Sequence, residues 1–141
     1  MNHSPLFRRL DHVAIVVRDV DAALSLYRDT MGLPVLIDEV IESGGVRLTH
    51  LDMGNVTLQL VQPLSPDHPL SKHLDQHGEG LHHLCFETDD VAETLAALPD
   101  RQLAAKSMTP HDGPRGKKAG FIDAATTGGV VWEMTDRGPN S

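Results

Sequence analysis

The sequence predicts an α+β protein built from two related modules of about 70 residues, each with the element order β-α-β-β-β. The first observation is an internal repeat, in which Leu10-Asp11-His12-Val13-Ala14-Ile15 is similar to Leu81-His82-His83-Leu84-Cys85-Phe86 at an offset of 71 residues. The second observation is a series of short apolar runs bounded by Gly, Asn or Asp, which is typical of strands separated by turns.

Composition and charge exclude several classes of protein. The net charge of −8 over 141 residues argues against nucleic acid as the main partner. A single cysteine excludes a disulfide scaffold, and an apolar content of 40% is too high for a disordered chain. No apolar run approaches the ~20 residues that span a bilayer, and residues 1–9 lack the apolar stretch of a signal peptide. We therefore expect a cytoplasmic protein that has no membrane partner.

The first module is predicted at about residues 10–64 of a single domain 10–136, after an N-terminal tail of residues 1–9. A β-rich apolar run predicts its first strand. Asp19 or Asp21 would then cap a helix that ends near Gly32. Glycine turns separate the next three strands. The four predicted strands are 12–17, 35–41, 46–53 and 56–62. A Pro-containing linker over 65–77 leads into a short helix.

The second module is predicted at about residues 80–136 and repeats this order less regularly. A strand at 81–87 precedes a helix at 91–98, and a further strand is predicted at 103–108. Residues 109–120, which contain Gly, Pro, Lys and Arg, predict a long loop. The module is predicted to end in a hairpin, whose strands are 121–124 and 130–134.

Alternation along the strands puts four polar side chains among apolar neighbours. His12 shares a face with Ala14 and Val16, and the repeat register selects His83, not His82, as its equivalent. If the strands curve around one cavity, four groups would converge on one ion: His12, Gln59, His83 and Glu133. Two imidazoles, one amide oxygen and one carboxylate suit a borderline divalent ion. The alternative is that each histidine is a structural strand residue.

At these residues the sequence resembles the vicinal oxygen chelate superfamily, which has the glyoxalase/bleomycin-resistance-like fold of paired βαβββ modules in a cupped mixed sheet. The similarity runs from Leu10 to Asp136, nearly the whole chain. Three segments carry it: 10–15, 80–86 and 128–133. Within the superfamily, the segments 58–64 and 81–83 are most similar to the methylmalonyl-CoA epimerase family.

The resemblance implies that His12, Gln59, His83 and Glu133 bind a divalent ion, either Co, Zn, Ni or Mn. It also implies a homodimer that acts on a small-molecule thioester, by abstracting a proton from methylmalonyl-CoA or a similar acyl-CoA and forming a metal-stabilised enediolate. Many glyoxalase I proteins have Glu at the position of Gln59, so Gln59 favours the epimerase.

Other functions of this superfamily remain alternatives. They include a glyoxalase I-type lactoylglutathione lyase and another metalloenzyme of unknown substrate. An extradiol dioxygenase usually needs four modules, whereas this chain has two. A non-enzymatic binding protein would need no metal, so the four proposed ligands argue against it.

Two positions depart from the epimerase pattern. Leu48 stands where some epimerases have a glutamate base, and 123–125 lack the His-Pro-Lys that many have. Glu133 is a candidate for both ligand and base, and His50 and Glu42 are candidates for the second base.

The remaining polar residues have weaker assignments. The cations Arg115, Lys117 and Lys118 are predicted to bind the phosphates of coenzyme A or the carboxylates of glutathione, the alternative being a solvated loop. We interpret Cys85 as a packing residue. His73 and His77 are interpreted as a solvated helix face, and no role is assigned to His3, His68 or His111.

Overall fold

A computed structural model describes residues 3–139 and divides them into two compact units. The first unit is residues 12–82, and the second comprises residues 3–11 together with 83–139. Each unit contains a β-α-β-β-β module with a mixed sheet, so the predicted α+β class and module order are confirmed. Within residues 3–139, no helix has the length and apolarity needed to cross a membrane.

The first module closes a sheet with the strand order β2-β3-β4-β1. Strands β1 and β4 run parallel, and the other neighbours are antiparallel. Its elements are β1 (Arg9–Val16), α1 (Val20–Leu24), β2 (Val35–Ile41), β3 (Val46–Asp52) and β4 (Thr57–Pro63). Helix α2 (Pro69–His77) follows them.

Helix α1 begins as the sequence predicts, because the Asp19 carboxylate accepts a hydrogen bond from the backbone N–H of Asp21. The helix then widens into a π-helical segment, Ser25–Thr30. There the Thr30 hydroxyl donates to the carbonyl of Ser25, five residues earlier, at 3.0 Å. Gly32, at a φ of +77°, ends the segment, since a left-handed backbone favours glycine.

The first sheet separates two groups of apolar side chains. Val17, Leu51 and Leu60 pack beneath α1. The opposite face carries a cluster made of Ala14, Ile41, Leu48 and Val61. Ile15 and Val17 therefore lie toward the helix and Ala14 lies on the opposite face, as alternation along the strand predicts for Ala14 and its neighbour Ile15.

An ion-pair group holds β2 and β3 together beside α1. The Arg47 guanidinium donates to both oxygens of Asp38, at 2.9 and 2.8 Å, and lies 3.1 Å from the carboxylate of Asp21. This arrangement holds the pKa of Asp38 below its ordinary value.

Replacing Asp38 by Asn is expected to destabilise the protein at neutral pH by less than about 1 kcal/mol, because this carboxylate is 41% exposed. Since the folded pKa lies below the ordinary 3.8, the stabilisation is full above that value and is lost as the pH falls through the folded pKa. Urea unfolding at neutral and strongly acidic pH should show the difference shrinking with acid. A difference that is independent of pH, or is matched by Asp100→Asn at an exposed site, would contradict this assignment.

The second module has the strand order β5-β8-β7-β6, with β5 parallel to β8 and the other neighbours antiparallel. Its core contains Val91, Leu95 and Leu98 packed on Ile122 and Met134. The elements are β5 (Gly80–Glu87), α3 (Val91–Ala97), β6 (His111–Asp112), β7 (Lys118–Ile122) and β8 (Trp132–Thr135).

The N-terminal residues pack into the second unit. The ring of Phe7 stacks on Phe86 with centroids 4.7 Å apart, and the backbone N–H of Arg8 donates to the carbonyl of Glu87. Leu6 also contacts the second core. Of the predicted tail, residues 1 and 2 lie outside the described residues, residues 6 and 7 pack against this core, and Arg9 begins β1.

The strand predicted at 103–108 is wrong. That segment makes an isolated bridge, Ala105 with Ile122, flanked by hydrogen bonds from Lys106 to Phe121 and from Asp123 to Ala104. The long loop predicted at 109–120 is also wrong. It contains β6, a 3₁₀ turn at Pro114–Gly116 and the start of β7. Arg115 and Gly116 both have positive φ there, so the glycine and proline signal marks a tight turn between short strands.

Candidate metal and proton-transfer site

Three neighbouring strands of the first unit bring a buried polar cluster to one face of the sheet. It consists of His12 on β1, His50 on β3 and Gln59 on β4, which are 4%, 5% and 4% exposed. His50 lies directly opposite Gln59 in the antiparallel register. The amide Nε2 of Gln59 is 2.9 Å from Nε2 of His50, and the rings of His12 and His50 have centroids 5.4 Å apart.

The hydrogen bond between Gln59 and His50 uses one nitrogen of each side chain. In this orientation of the amide, the N–H₂ group of Gln59 donates and Nε2 of His50 accepts. The carbonyl oxygen of Gln59 is then the atom that this amide offers to a cation. An amide oxygen and the imidazole of His12 are both ligands that a borderline divalent ion accepts.

Leu48 lies on the same face of β3 as His50, two residues away. It is 7% exposed and packs with Ala14, Ile41 and Val61, next to the polar cluster. The antiparallel register puts His50, Leu48 and Gln59 on one face of the sheet. A carboxylate at position 48 would share that face.

The second unit holds its own buried cluster around Glu133 on β8. Glu133 is buried, and each of its carboxylate oxygens faces a different histidine. Oε1 lies 3.1 Å from Nε2 of His83 on β5, and Oε2 lies 2.9 Å from Nε2 of His111 on β6. The ring of Phe121 contacts both imidazoles, edge-on to His83 at 5.2 Å and stacked on His111 at 5.3 Å.

The His83–Glu133 pair fits a divalent ion. Two ligand atoms that are each about 2.1 Å from the same ion lie about 3.0 to 3.4 Å apart, for angles from 90° to the tetrahedral value. The separation of 3.1 Å between His83 Nε2 and Glu133 Oε1 matches that spacing. A proton between these two atoms is replaced when an ion binds, because an imidazole ligand must be deprotonated.

Cys85 is opposite Glu133 in the parallel β5–β8 register, and its sulfur lies within 4.8 Å of that carboxylate. The residue is fully buried. Burial raises the pKa of the thiol well above its ordinary value, and the charge of Glu133 raises it further. Cys85 is therefore a neutral thiol at physiological pH, as a packing residue would be.

The other predicted site residues are not in these clusters. Glu42 is exposed, in the 3₁₀ turn Glu42–Gly44 between β2 and β3. The ammonium of Lys118 is paired with Asp112 at 2.6 Å. Arg115 is exposed at the tight turn, and Lys117 is half-buried.

His111, to which the sequence assigned no role, contacts Glu133. The local sequence does not predict this contact, because Gly and Pro residues surround the two-residue strand that contains His111 and give no strand pattern. The pairing of His111 with Ala119 is the feature that places it, and that pairing is visible only in the sheet.

Comparison with known proteins gives relatives over nearly the whole chain. A family model described as the glyoxalase/bleomycin resistance protein/dioxygenase superfamily matches residues 11–121. The uncharacterized protein YqjC of Bacillus subtilis is 36% identical over 91% of this chain and 91% of its own length. Mitochondrial methylmalonyl-CoA epimerase of Mus musculus is 31% identical over 93% of this chain and 75% of its own length.

A solved structure is also similar to this chain over nearly its whole length. It is a variant of Streptomyces coelicolor methylmalonyl-CoA epimerase in complex with 2-nitronate-propionyl-CoA. Its TM-score is 0.84 at 34% identity, over 92% of this chain and 94% of that one.

Proposed function

Because the chain belongs to the glyoxalase/bleomycin resistance protein/dioxygenase superfamily, we propose that it is a divalent-metal-dependent epimerase of methylmalonyl-CoA or a similar acyl-CoA. The observation that carries this proposal is the pairing of buried ligand-type and proton-accepting groups, above all His83 with Glu133 at 3.1 Å. The likeness to proteins named methylmalonyl-CoA epimerase supports the acyl-CoA substrate class.

The proposed ligands of the ion are those that the resemblance implies, namely His12, Gln59, His83 and Glu133. The repeat register supports this set, since His12 and His83 occupy equivalent positions. Two imidazoles, an amide oxygen and a carboxylate suit Co, Zn, Ni or Mn, and a single anionic ligand leaves the ion with net positive charge. When bound, such an ion stabilises the negative charge that develops on substrate oxygens during proton abstraction.

The proposed acid–base pair is Glu133 and His50. Epimerisation breaks the C2–H bond on one side of the substrate carbon and returns a proton to the other side, so the proton balance closes without a co-reactant. The Glu133 carboxylate takes the C2 proton, and His50 is the proposed group that returns one to the other side, each group exchanging its proton with solvent between turnovers. Glu42 is the alternative second group, and its exposed position makes it the weaker candidate.

Arg115, Lys117 and Lys118 are proposed to contact the phosphates of the coenzyme A portion. They surround the tight turn between β6 and β7, in a chain whose net charge is −8. Lys118 would exchange its ion pair with Asp112 for a phosphate. The homodimer and the cytoplasmic location stay predictions of the sequence.

Proton exchange at C2 tests the proposed reaction. In D₂O with added Co²⁺, the protein is expected to exchange the C2 proton of methylmalonyl-CoA at least ~100-fold faster than buffer, because a positioned base contributes about that much. The measurement is loss of the C2–H signal by NMR. A parallel assay supplies methylglyoxal and glutathione and follows thioester formation. Activity in the second assay alone would overturn the epimerase in favour of a lyase.

A further inference from the structure

We infer that His111 is a positioning residue for Glu133, holding one carboxylate oxygen so that the other stays beside His83. The expected effect on metal affinity rests on the proposed function. The contacts of His111 and Glu133 themselves lie within the second unit alone. No catalytic contact with substrate is assigned to His111.

The two oxygens of Glu133 have different partners. Oε1 is 3.1 Å from His83 Nε2, and Oε2 is 2.9 Å from His111 Nε2. A carboxylate only accepts hydrogen bonds, so both ring nitrogens donate to it. Rotation about the last side-chain bond of Glu133 would exchange the oxygens or turn the plane of the carboxylate. A donor on Oε2 opposes that rotation and thereby keeps Oε1 aimed at the position beside His83.

The side chains of His83, Glu133 and His111 differ in their exposure to solvent. The side chains of His83 and Glu133 are only 6% and 10% exposed, whereas His111 is 43% exposed. His111 thus approaches the buried carboxylate from its accessible side. A hydrogen bond to a buried charged acceptor is stronger than a neutral one, so this contact can hold the carboxylate against thermal motion.

His111 is itself held in place by two contacts. Its ring stacks on Phe121 with an interplanar angle of 16° and centroids 5.3 Å apart. Its backbone pairs with Ala119 across the short β6–β7 hairpin. Phe121 is opposite Glu133 in the β7–β8 register. The ring on which His111 stacks therefore holds the imidazole next to the carboxylate of Glu133. Partners of this kind, one step removed from a ligand, typically change metal affinity 10–100-fold when removed.

Two substitutions separate the hydrogen bond from the ring stack. His111→Phe keeps an aromatic ring on Phe121 and removes the N–H donor. His111→Gln loses the ring but keeps an N–H₂ group near the position of Nε2. His77→Phe is the matched control, because it makes the same exchange at an exposed histidine on α2.

The first readout needs no metal. In metal-free protein with ¹⁵N-labelled histidine, the Nε2–H of His83 is expected to be protected from solvent exchange in the wild type, in His111→Gln and in His77→Phe. His111→Phe is expected to lose much of that protection, because the carboxylate of Glu133 loses the donor that holds its Oε2 atom. Equal protection in all four proteins would overturn the inference.

The second readout is the Co²⁺ dissociation constant together with the visible absorption of the Co²⁺-loaded protein. His111→Phe is expected to bind Co²⁺ about 10–100-fold more weakly with an altered spectrum, and His111→Gln to recover most of the affinity. Wild-type affinity and spectrum in His111→Phe would overturn the inference. If the wild type itself binds no divalent ion, the proposed metal-dependent function fails instead, and the exchange measurement still decides the role of His111.

Discussion

Replacing His83 by Ala is expected to weaken binding of the divalent ion by more than about 100-fold, the largest effect on metal that we predict. The substitution removes an imidazole whose side chain is 6% exposed and which lies 3.1 Å from the Oε1 atom of Glu133. Metal content after dialysis and the dissociation constant by chelator competition are the measurements.

The same measurement on His12→Ala shows whether His12 and His83 bind the same ion. If His12 and His83 bind the same ion, His12→Ala and His83→Ala each abolish binding of that single ion. If each unit binds an ion separately, each variant loses half of the metal, and the shared ligand set is wrong. His77→Ala is the control for removing a histidine at an exposed site. Unchanged metal content in His12→Ala and His83→Ala would contradict the ligand assignment altogether.

Replacing Leu48 by Glu is expected to raise the rate of C2 proton exchange of methylmalonyl-CoA by about 100-fold, since a positioned general base contributes 10²–10⁴-fold. The new carboxylate would share the face of β3 that carries His50, opposite the Val61 position of β4. NMR detection of deuterium incorporation at C2, compared with the wild-type rate under the same conditions, is the measurement.

Leu48→Gln is the matched control for that substitution. It has nearly the shape of the glutamate but cannot accept a proton from carbon, so it should leave the exchange rate near the wild-type value. Both variants place a polar group where Leu48 packs with Ala14, Ile41 and Val61, so both should unfold at a lower temperature. An equal rate of exchange in Leu48→Glu and Leu48→Gln, with both proteins folded, would show that position 48 does not reach the reacting carbon.

The parts of the fold that could be predicted are those with a strong local signal. Strand β2 has the predicted bounds, and β3 ends one residue early, because a run of apolar residues between glycine turns has few alternatives. Of the two predicted candidates, Asp19 and Asp21, it is Asp19 that caps α1, since its carboxylate accepts from a free N–H group of the first turn. The repeat then gave the strand equivalence of His12 and His83.

The parts that could not be predicted depend on pairing between distant residues. The segment 103–108 contains no β-branched or aromatic residue, and its backbone bonds are shared between a single bridge and the turn after Ile122. The two-residue strand β6 has no periodicity to detect. His111 therefore could not be assigned from sequence, although it lies 2.9 Å from Glu133.

The sequence by itself determined which side chains share a face of each strand. It also determined the chemical types of the candidate ligands. Alternation along a strand is a local property of the backbone, so it puts Gln59 with Val61 and Glu133 with Val131 in any sheet that contains them. The neighbours of those side chains were decided only by the tertiary structure. Cross-strand register turns His50 toward Gln59 and brings His111 to Glu133, because hydrogen-bonded strands set which residues face each other across the sheet.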